Sequence, residues 1–374
     1  MAKIVTITNP LTGQPAQVDQ LDHTAQQIDD GLNIARGVSN PNLLDNSVFL
    51  PGCLVDQRQG YVVPLGTEVF SDSAMTTSVG KTSQYYNVIE KTSTYVKIWT
   101  GAANRYAPAS TAVRGYATLN SEAIYTIDRW IVQSGYVLVN DGYITWGNAK
   151  STGACQYKET IPVSVLPGKQ LVFSIMTTTG VYTNTIVAPA VDEYSVKGVT
   201  VDGVVLDVRV YCNSDGTATF VLRKDSTIFS LNLVGIKFEL GTTQTLAHQD
   251  SSGKWVLNEI PDYGEQLARC MAYAVQLDKN GGIGIVQNET TAYVTFPLSV
   301  PLKLRSGVHP VINQNYPAYA WTSKGTTTIT NAALNDNYNG KQVLSITLIG
   351  DFSGVQSGSV INSYLFAPFI SNDL

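Results

Sequence analysis

Short apolar runs rich in aromatic and β-branched residues, punctuated by Ser, Thr and Gly, fill most of this chain, but one short stretch near its start follows a different rhythm. Between Gln17 and Arg36, Val18, Ala25 and Leu32 recur at every seventh position, and Leu21, Ile28 and Ala35 form a second such series. The two series interleave as the a/d seam of a coiled coil, with Asp19, Gln20, Asp22, Gln26, Gln27, Asp29 and Asp30 on the outer face. The seam is short and includes two alanines. It therefore predicts helices that set register in an oligomer held together mainly elsewhere. An amphipathic helix lying on a globular core is the alternative.

Asn9-Pro10-Leu11-Thr12-Gly13-Gln14-Pro15 precedes the seam as a turn-rich lead-in, and Asn40-Pro41-Asn42 closes it. From there to about Glu259, short runs rich in aromatic and β-branched residues predict strands. These are Tyr61 to Leu65, Tyr85 to Glu90, Tyr95 to Trp99, Val113 to Ala117, Ile124 to Val132, Tyr136 to Val139 and Tyr143 to Trp146. Glu159 to Val165, Gln170 to Thr177, Val204 to Tyr211, Thr217 to Leu222 and Leu231 to Glu239 follow. Asn140-Asp141-Gly142 is a strong hairpin signal, and Asn213-Ser214-Asp215-Gly216 marks another turn. Many strands with short turns predict an antiparallel sandwich or jelly roll. Between Pro261 and Tyr273, Leu267, Cys270 and Met271 share a helical face, with Asp262 as its cap. Beyond it Ala292 to Leu298, Val343 to Ile349 and Ser363 to Ile370 are again strands, and Gly281-Gly282-Ile283-Gly284 is read as a hairpin turn. The expected organisation is an attachment segment over 1–40, a β-sandwich over 41–261, and a linker helix with a small second β-sandwich over 262–374.

Composition supports an all-β class. Charged residues make up 14% of the 374, below the ~25% usual for soluble globular chains. A net charge of −5 and no Lys/Arg cluster argue against a nucleic-acid partner. The apolar runs are strand-sized, so no membrane insertion is expected. The start lacks a signal-peptide pattern, which points to exit by lysis or inside a particle. Cys53, Cys155, Cys212 and Cys270 are widely spread and are expected to be buried thiols, with no disulfide. His23, His248 and His309 pair with no cysteine at zinc spacing, so no metal is expected.

Four stretches, in order, resemble a known family. They are Asn42-Leu43-Leu44-Asp45-Asn46-Ser47 with Asp56-Gln57-Arg58-Gln59-Gly60; Tyr125-Thr126-Ile127-Asp128-Arg129-Trp130, its signature strand; Lys237-Phe238-Glu239-Leu240-Gly241; and Tyr263-Gly264-Glu265-Gln266-Leu267-Ala268-Arg269-Cys270, its linker helix. The chain is similar to phage and prophage tail-fibre proteins with a jelly-roll domain like those of carbohydrate-binding modules. It departs from the pattern at Asp56 and at Met271-Ala272-Tyr273, where the family has Asn and Gln-Arg-Tyr. The resemblance spans Asn42 to Tyr273. It implies a tail or baseplate location, assembly in the bacterial cytoplasm, other tail proteins as partners and a variable C-terminal head. With the heptad seam it implies a homotrimer held at Val18, Leu21, Ala25, Ile28, Leu32 and Ala35.

Enzymatic chemistry finds little support. Glycoside hydrolysis needs two carboxylates ~5–9.5 Å apart; Asp192, Glu193, Asp202, Asp207 and Asp215 cluster loosely among turns and strand ends. No β-helix repeat is present. His248, with Asp250, Ser251 and Ser252 nearby, reads as a polar loop, and Asp336-Asn337 and Asp192-Glu193 as loop acids more readily than as a calcium site. What remains is a binding surface in the last domain. Tyr316, Tyr319 and Trp321 offer rings on which sugar C–H faces stack, and Asn335, Asp336, Asn337 and Tyr338 offer groups for sugar hydroxyls. Core or intersubunit packing is the competing role for these rings. The expectation is a non-enzymatic, cofactor-free homotrimeric tail protein that binds a bacterial surface glycan. A purely structural tail component is the alternative, and a polysaccharide depolymerase a remote one.

Overall fold

The structure is a computed structural model that describes residues 41–119, 123–150, 153–163, 166–225, 227–272, 274–276, 282–297, 311–313, 318–334, 343–364 and 369–371. Residues 1–41 form one unit and 42–374 another. The heptad positions Val18, Leu21, Ala25, Ile28, Leu32 and Ala35 lie outside the described residues. Among the described residues the second unit is all-β apart from the nine-residue helix Tyr263–Met271 and one short 3-10 turn.

Two sheets face each other across one large core. The first has twelve strands, in the order Val181–Val187, Gln170–Thr177, Phe229–Leu240, Ile144–Asn148, Tyr136–Val139, Val113–Ala117, Tyr61–Val63, Tyr86–Lys91, Tyr95–Trp99, Asn104–Pro108, Glu68–Phe70 and Ser78–Lys81. The second has six: Glu193–Val201, Val204–Cys212, Ala218–Lys224, Cys155–Ile161, Ile131–Gln133 and Ala123–Tyr125. The two-residue period is what brings the sheets together. In Cys155–Ile161, Cys155, Tyr157, Glu159 and Ile161 are buried while the positions between are half-exposed. Tyr157 stacks on Trp130 at 4.5 Å and on Trp146 at 6.0 Å, so three large rings fill the centre of the sandwich. At the far end of the larger sheet Val63, Val69, Tyr86, Val96, Ile98 and Ala107 form a separate small core.

Several expected strands fall where the alternation places them, with Tyr95–Trp99, Val113–Ala117, Tyr136–Val139 and Gln170–Thr177 matching at both ends. The Asn140-Asp141-Gly142 turn joins its two strands with Gly142 at φ +89°, a conformation glycine adopts freely. Asp262 caps the helix by accepting the Glu265 N–H at 2.9 Å.

Three expectations are corrected. Ile124 to Val132 is not one strand: Ala123–Tyr125 and Ile131–Gln133 are separated by a turn in which Arg129 has φ +74° and the Thr126 N–H donates to the Trp130 carbonyl at 2.8 Å. Gly282-Ile283-Gly284 belongs to a strand, Gly282–Val286, and does not form a hairpin turn. A side chain on Gly284 would collide with the backbone of Tyr293 on the neighbouring strand, so the glycine answers a close approach between strands. The C-terminal strands, expected as a small sandwich, close into a barrel ordered Gly282–Val286, Thr291–Pro297, Val343–Gly350, Gly325–Leu334, Ala318–Thr322 and Val360–Tyr364. Pairing of the fifth of these strands with the sixth, and of the sixth with the first, leaves no edge in the barrel.

Candidate functional site

The stretches that carry the family resemblance are far apart in the chain and meet at one buried polar junction. The segment after Pro41 runs beside strand Phe229–Leu240: Leu43 N–H donates to the Phe238 carbonyl, Ile236 N–H to that of Ser47 and Phe49 N–H to that of Val234, each at 2.8 Å. Asn42 braces this pairing, donating to the Ile236 carbonyl at 3.0 Å and accepting from Phe238 N–H at 3.1 Å.

Asn46 is the hub. Its amide donates to the carbonyls of Val55 and Asp128 at 2.8 Å each, its Oδ1 accepts the Val55 N–H, and its own N–H donates to Gln266 Oε1 at 2.8 Å. The left-handed φ of +46° at Asn46 suits an asparagine. The Trp130 indole N–H reaches the carbonyls of Asp45 and Asn46. Arg129 is buried between Asp45 and Glu159, its Nε 3.6 and 3.5 Å from their carboxylates, and donates to the Thr160 carbonyl at 2.6 Å. Arg269 on the helix reaches Asp45 from the other side at 3.6 Å. The helix is thus fastened to the sandwich through Gln266 and Arg269.

A second group sits beside the first. Asp128 accepts from the backbone and side chain of Gln57, while Asp56 accepts from Arg114, Tyr116 and the Gln59 N–H. Arg58 donates to the Thr126 carbonyl at 2.9 Å and lies over the rings of Tyr116 and Tyr125. Burial pushes the Asp128 carboxyl up to about 6, against the hydrogen bonds from Gln57. Burial also raises the Tyr116 and Cys270 groups, with nearby carboxylates adding to the effect. Lys237 and Glu239 are both buried and clasp Thr245: Lys237 Nζ donates to its hydroxyl, and the Thr245 N–H donates to Glu239, each at 2.7 Å. Every polar motif residue at this junction serves backbone or buried charge. The arrangement positions chain segments, and a cleft of about 300 Å³ lined by Asp56, Gln59, Arg114 and Tyr263 opens beside it.

Glu159 was missed by motif reading although it stands at the centre. The signal was available: it occupies an inward position in an alternating strand, where a charge needs a partner.

The expected receptor residues are placed in part. Tyr319 and Trp321 lie on barrel strand Ala318–Thr322, on either side of the buried Ala320, in register with Thr328 and Thr326 of the next strand. Tyr316, Asn335, Asp336, Asn337 and Tyr338 lie outside the described residues. No residue of the six barrel strands is charged. Outside the barrel, Ile285 is exposed and lies in register between Tyr293 and Val360, themselves exposed, with Ile283 two positions away.

Three of the acids weighed for catalysis have structural tasks. Asp202 forms a hairpin turn and accepts from Thr179 and Tyr182; Asp207 pairs with Arg209 and Arg223; Asp215 accepts from Thr217 N–H and hydroxyl. His248 Nδ1 is bonded to Asn258 Oδ1 at 2.5 Å. Among the described residues no group of three His, Cys, Asp or Glu could hold a metal ion, and no helix is long and apolar enough to cross a membrane. Cys53, Cys155, Cys212 and Cys270 are buried free thiols. The chain matches no protein-family model, and no curated protein is detectably similar to it.

Proposed function

We propose that this chain is a non-enzymatic tail-fibre or tail-tip protein of a phage-type particle, a homotrimer that binds a bacterial surface glycan through its C-terminal barrel. The observation that carries this reading is the use to which the motif residues are put. The stretches that carry the resemblance to tail-fibre proteins hold the sandwich together and fasten the linker helix to it. A shared scaffold with a free-standing recognition head is the division of labour an adhesive tip requires. The barrel's uncharged strands suit a neutral, polyhydroxylated ligand, and Tyr319 and Trp321 are the rings on which its sugar faces would stack. The jelly-roll character of the sandwich, a coiled coil at Val18 to Ala35, assembly in the host cytoplasm and contacts to other tail proteins belong to the same proposal.

The exposed stripe of Ile283, Ile285, Tyr293 and Val360 favours a second reading, a structural element in which barrels pack against one another without binding a receptor. Full-length protein bound to a panel of bacteria separates the two. Replacing Tyr319 and Trp321 together with Ala should sharply reduce cell binding while leaving the melting curve in place, because each lost stacking contact is worth about 1 kcal/mol and several subunits act together. Light scattering should give about three times the 40.4 kDa chain mass. A wild-type protein that binds no strain, or a double variant that binds as well as wild type, decides against the barrel as the receptor site.

A further inference from the structure

A cleft of about 240 Å³ opens at one end of the larger sheet, far from the barrel in sequence. It lies where strands Val113–Ala117 and Ile144–Asn148 end and strands Tyr86–Lys91 and Tyr136–Val139 begin. Tyr85 and Tyr136 form one wall as a stacked pair, with centroids 4.1 Å apart and planes at 26°. Tyr136 lies flat across the neighbouring strand because position 147 is glycine; a Cβ there would stand 2.6 Å from the Tyr136 hydroxyl. Thr118 and Gly135 close the back of the cleft, the hydroxyl accepting the Gly135 N–H at 2.8 Å.

Asn148 marks this cleft as more than a crevice. It is 4% exposed. Its Oδ1 accepts the Lys150 N–H at 2.9 Å, which fixes the amide, yet its buried Nδ2 donates to no protein atom. Buried donors are nearly always paired, and one held still beside an open cleft is placed for an acceptor from outside. Gln84, 7% exposed, brings a second amide to the same space. Among the described residues the lining includes one cation, Lys150, and no acid, in a chain whose acids outnumber its bases by 29 to 24. The volume lies below the ~300–1,000 Å³ of sites for drug-sized ligands and suits one sugar ring.

We propose that this cleft binds a single hexuronic acid unit of an acidic polysaccharide. The amides of Asn148 and Gln84 donate to its hydroxyl oxygens, the Lys150 ammonium pairs with its carboxylate, and the accessible part of the Tyr85 ring stacks on its C–H face. The scaffold would then carry a recognition site of its own, independent of the barrel.

Calorimetric titration of the full-length chain with glucuronate and galacturonate, and with glucose as the neutral control, tests the assignment. Uronates should bind at millimolar concentration and glucose about tenfold more weakly or not at all. Asn148→Asp keeps the acceptor for the Lys150 N–H but removes the free donor and adds a negative charge; it should weaken uronate binding about tenfold or more. Lys150→Gln alters a partly exposed side chain and should erase the preference for uronate over glucose, with an unchanged melting temperature. Absence of uronate binding by wild type, equal binding of glucose, or undiminished uronate binding by both variants would overturn the proposal. The readout is free sugar, so loss of this site leaves the cell-binding test of the barrel unaffected, and the two readings fail separately.

Discussion

The sandwich and the barrel solve the problem of holding β-strands together in opposite ways. The sandwich takes charge inside: Arg129, Glu159, Lys237, Glu239 and Asp128 are all at most 3% exposed; Arg129, Glu159 and Asp128 are answered from distant parts of the chain, and Lys237 and Glu239 by each other and by Thr245. The barrel keeps charge out of its strands altogether and fills its interior with Val286, Ala292, Val294, Phe296, Ile329, Ile346, Leu348 and Ile361. Apolar packing tolerates replacement so long as volume is kept, whereas a buried charge lacking its partner is costly. The first solution specifies one arrangement of segments. The second leaves the outer surface free to vary.

The largest expected effect breaks the sandwich's solution directly. Arg129→Ala leaves Glu159 buried without its cation and should cost about 3–5 kcal/mol, read from urea unfolding. A loss below about 1 kcal/mol would mean that the pair contributes little beyond its volume.

Next comes pH. Asp128 titrates near 6 in the folded chain because it is buried, against about 3.9 when unfolded. The folded state therefore holds its proton more tightly. The contribution is fully present below about pH 4, is lost as pH rises to about 6, and stays flat above that. Relative to Asp128→Asn, the wild type should lose on the order of 2–3 kcal/mol between those limits, measured as the difference of two melting-temperature profiles. Parallel profiles would show that the carboxyl is not held protonated.

The smallest effect sharpens the contrast between buried and exposed charge. Glu265 pairs with Arg269 at 2.6 Å one helical turn away, but both are largely in solvent. Glu265→Gln should change stability by less than about 0.5 kcal/mol, within the range of an exposed helical ion pair.

Much of the sandwich was legible in the sequence, because half-buried strands such as Tyr95–Trp99 and Val204–Cys212 write their period into the chain. The Tyr125 to Trp130 stretch was misread because its turn is imposed from outside: Asp128 N–H donates to the Val55 carbonyl at 3.3 Å, and the Arg129 side chain must reach Glu159. Nothing local to the stretch announces either partner. Closure of the barrel was equally hidden. It depends on pairing Tyr319, Ala320 and Trp321 with Tyr364, Ser363 and Asn362, and that choice of partner strand leaves no trace in the alternation of either. The motif residues were recognisable as a set but not by task, since only their meeting around Asn46 shows what they hold. Asn148 carried no signal at all. An asparagine at the end of a strand is ordinary until the fold buries its amide beside a cleft.

The junction also determines how the molecule would answer to pulling. The chain enters the sandwich along strand Phe229–Leu240, with Asn42 opposite Phe238, and the exit helix is tied back to the entry segment through Asn46–Gln266 and Asp45–Arg269. Tension applied along the chain from residue 42 to the helix can thus cross from one side to the other within a few side chains. Strands Tyr61–Val63, Tyr86–Lys91, Tyr95–Trp99 and Tyr136–Val139 do not pair with strand Phe229–Leu240. They are free to hold the cleft of Tyr85 and Tyr136 in shape under such tension.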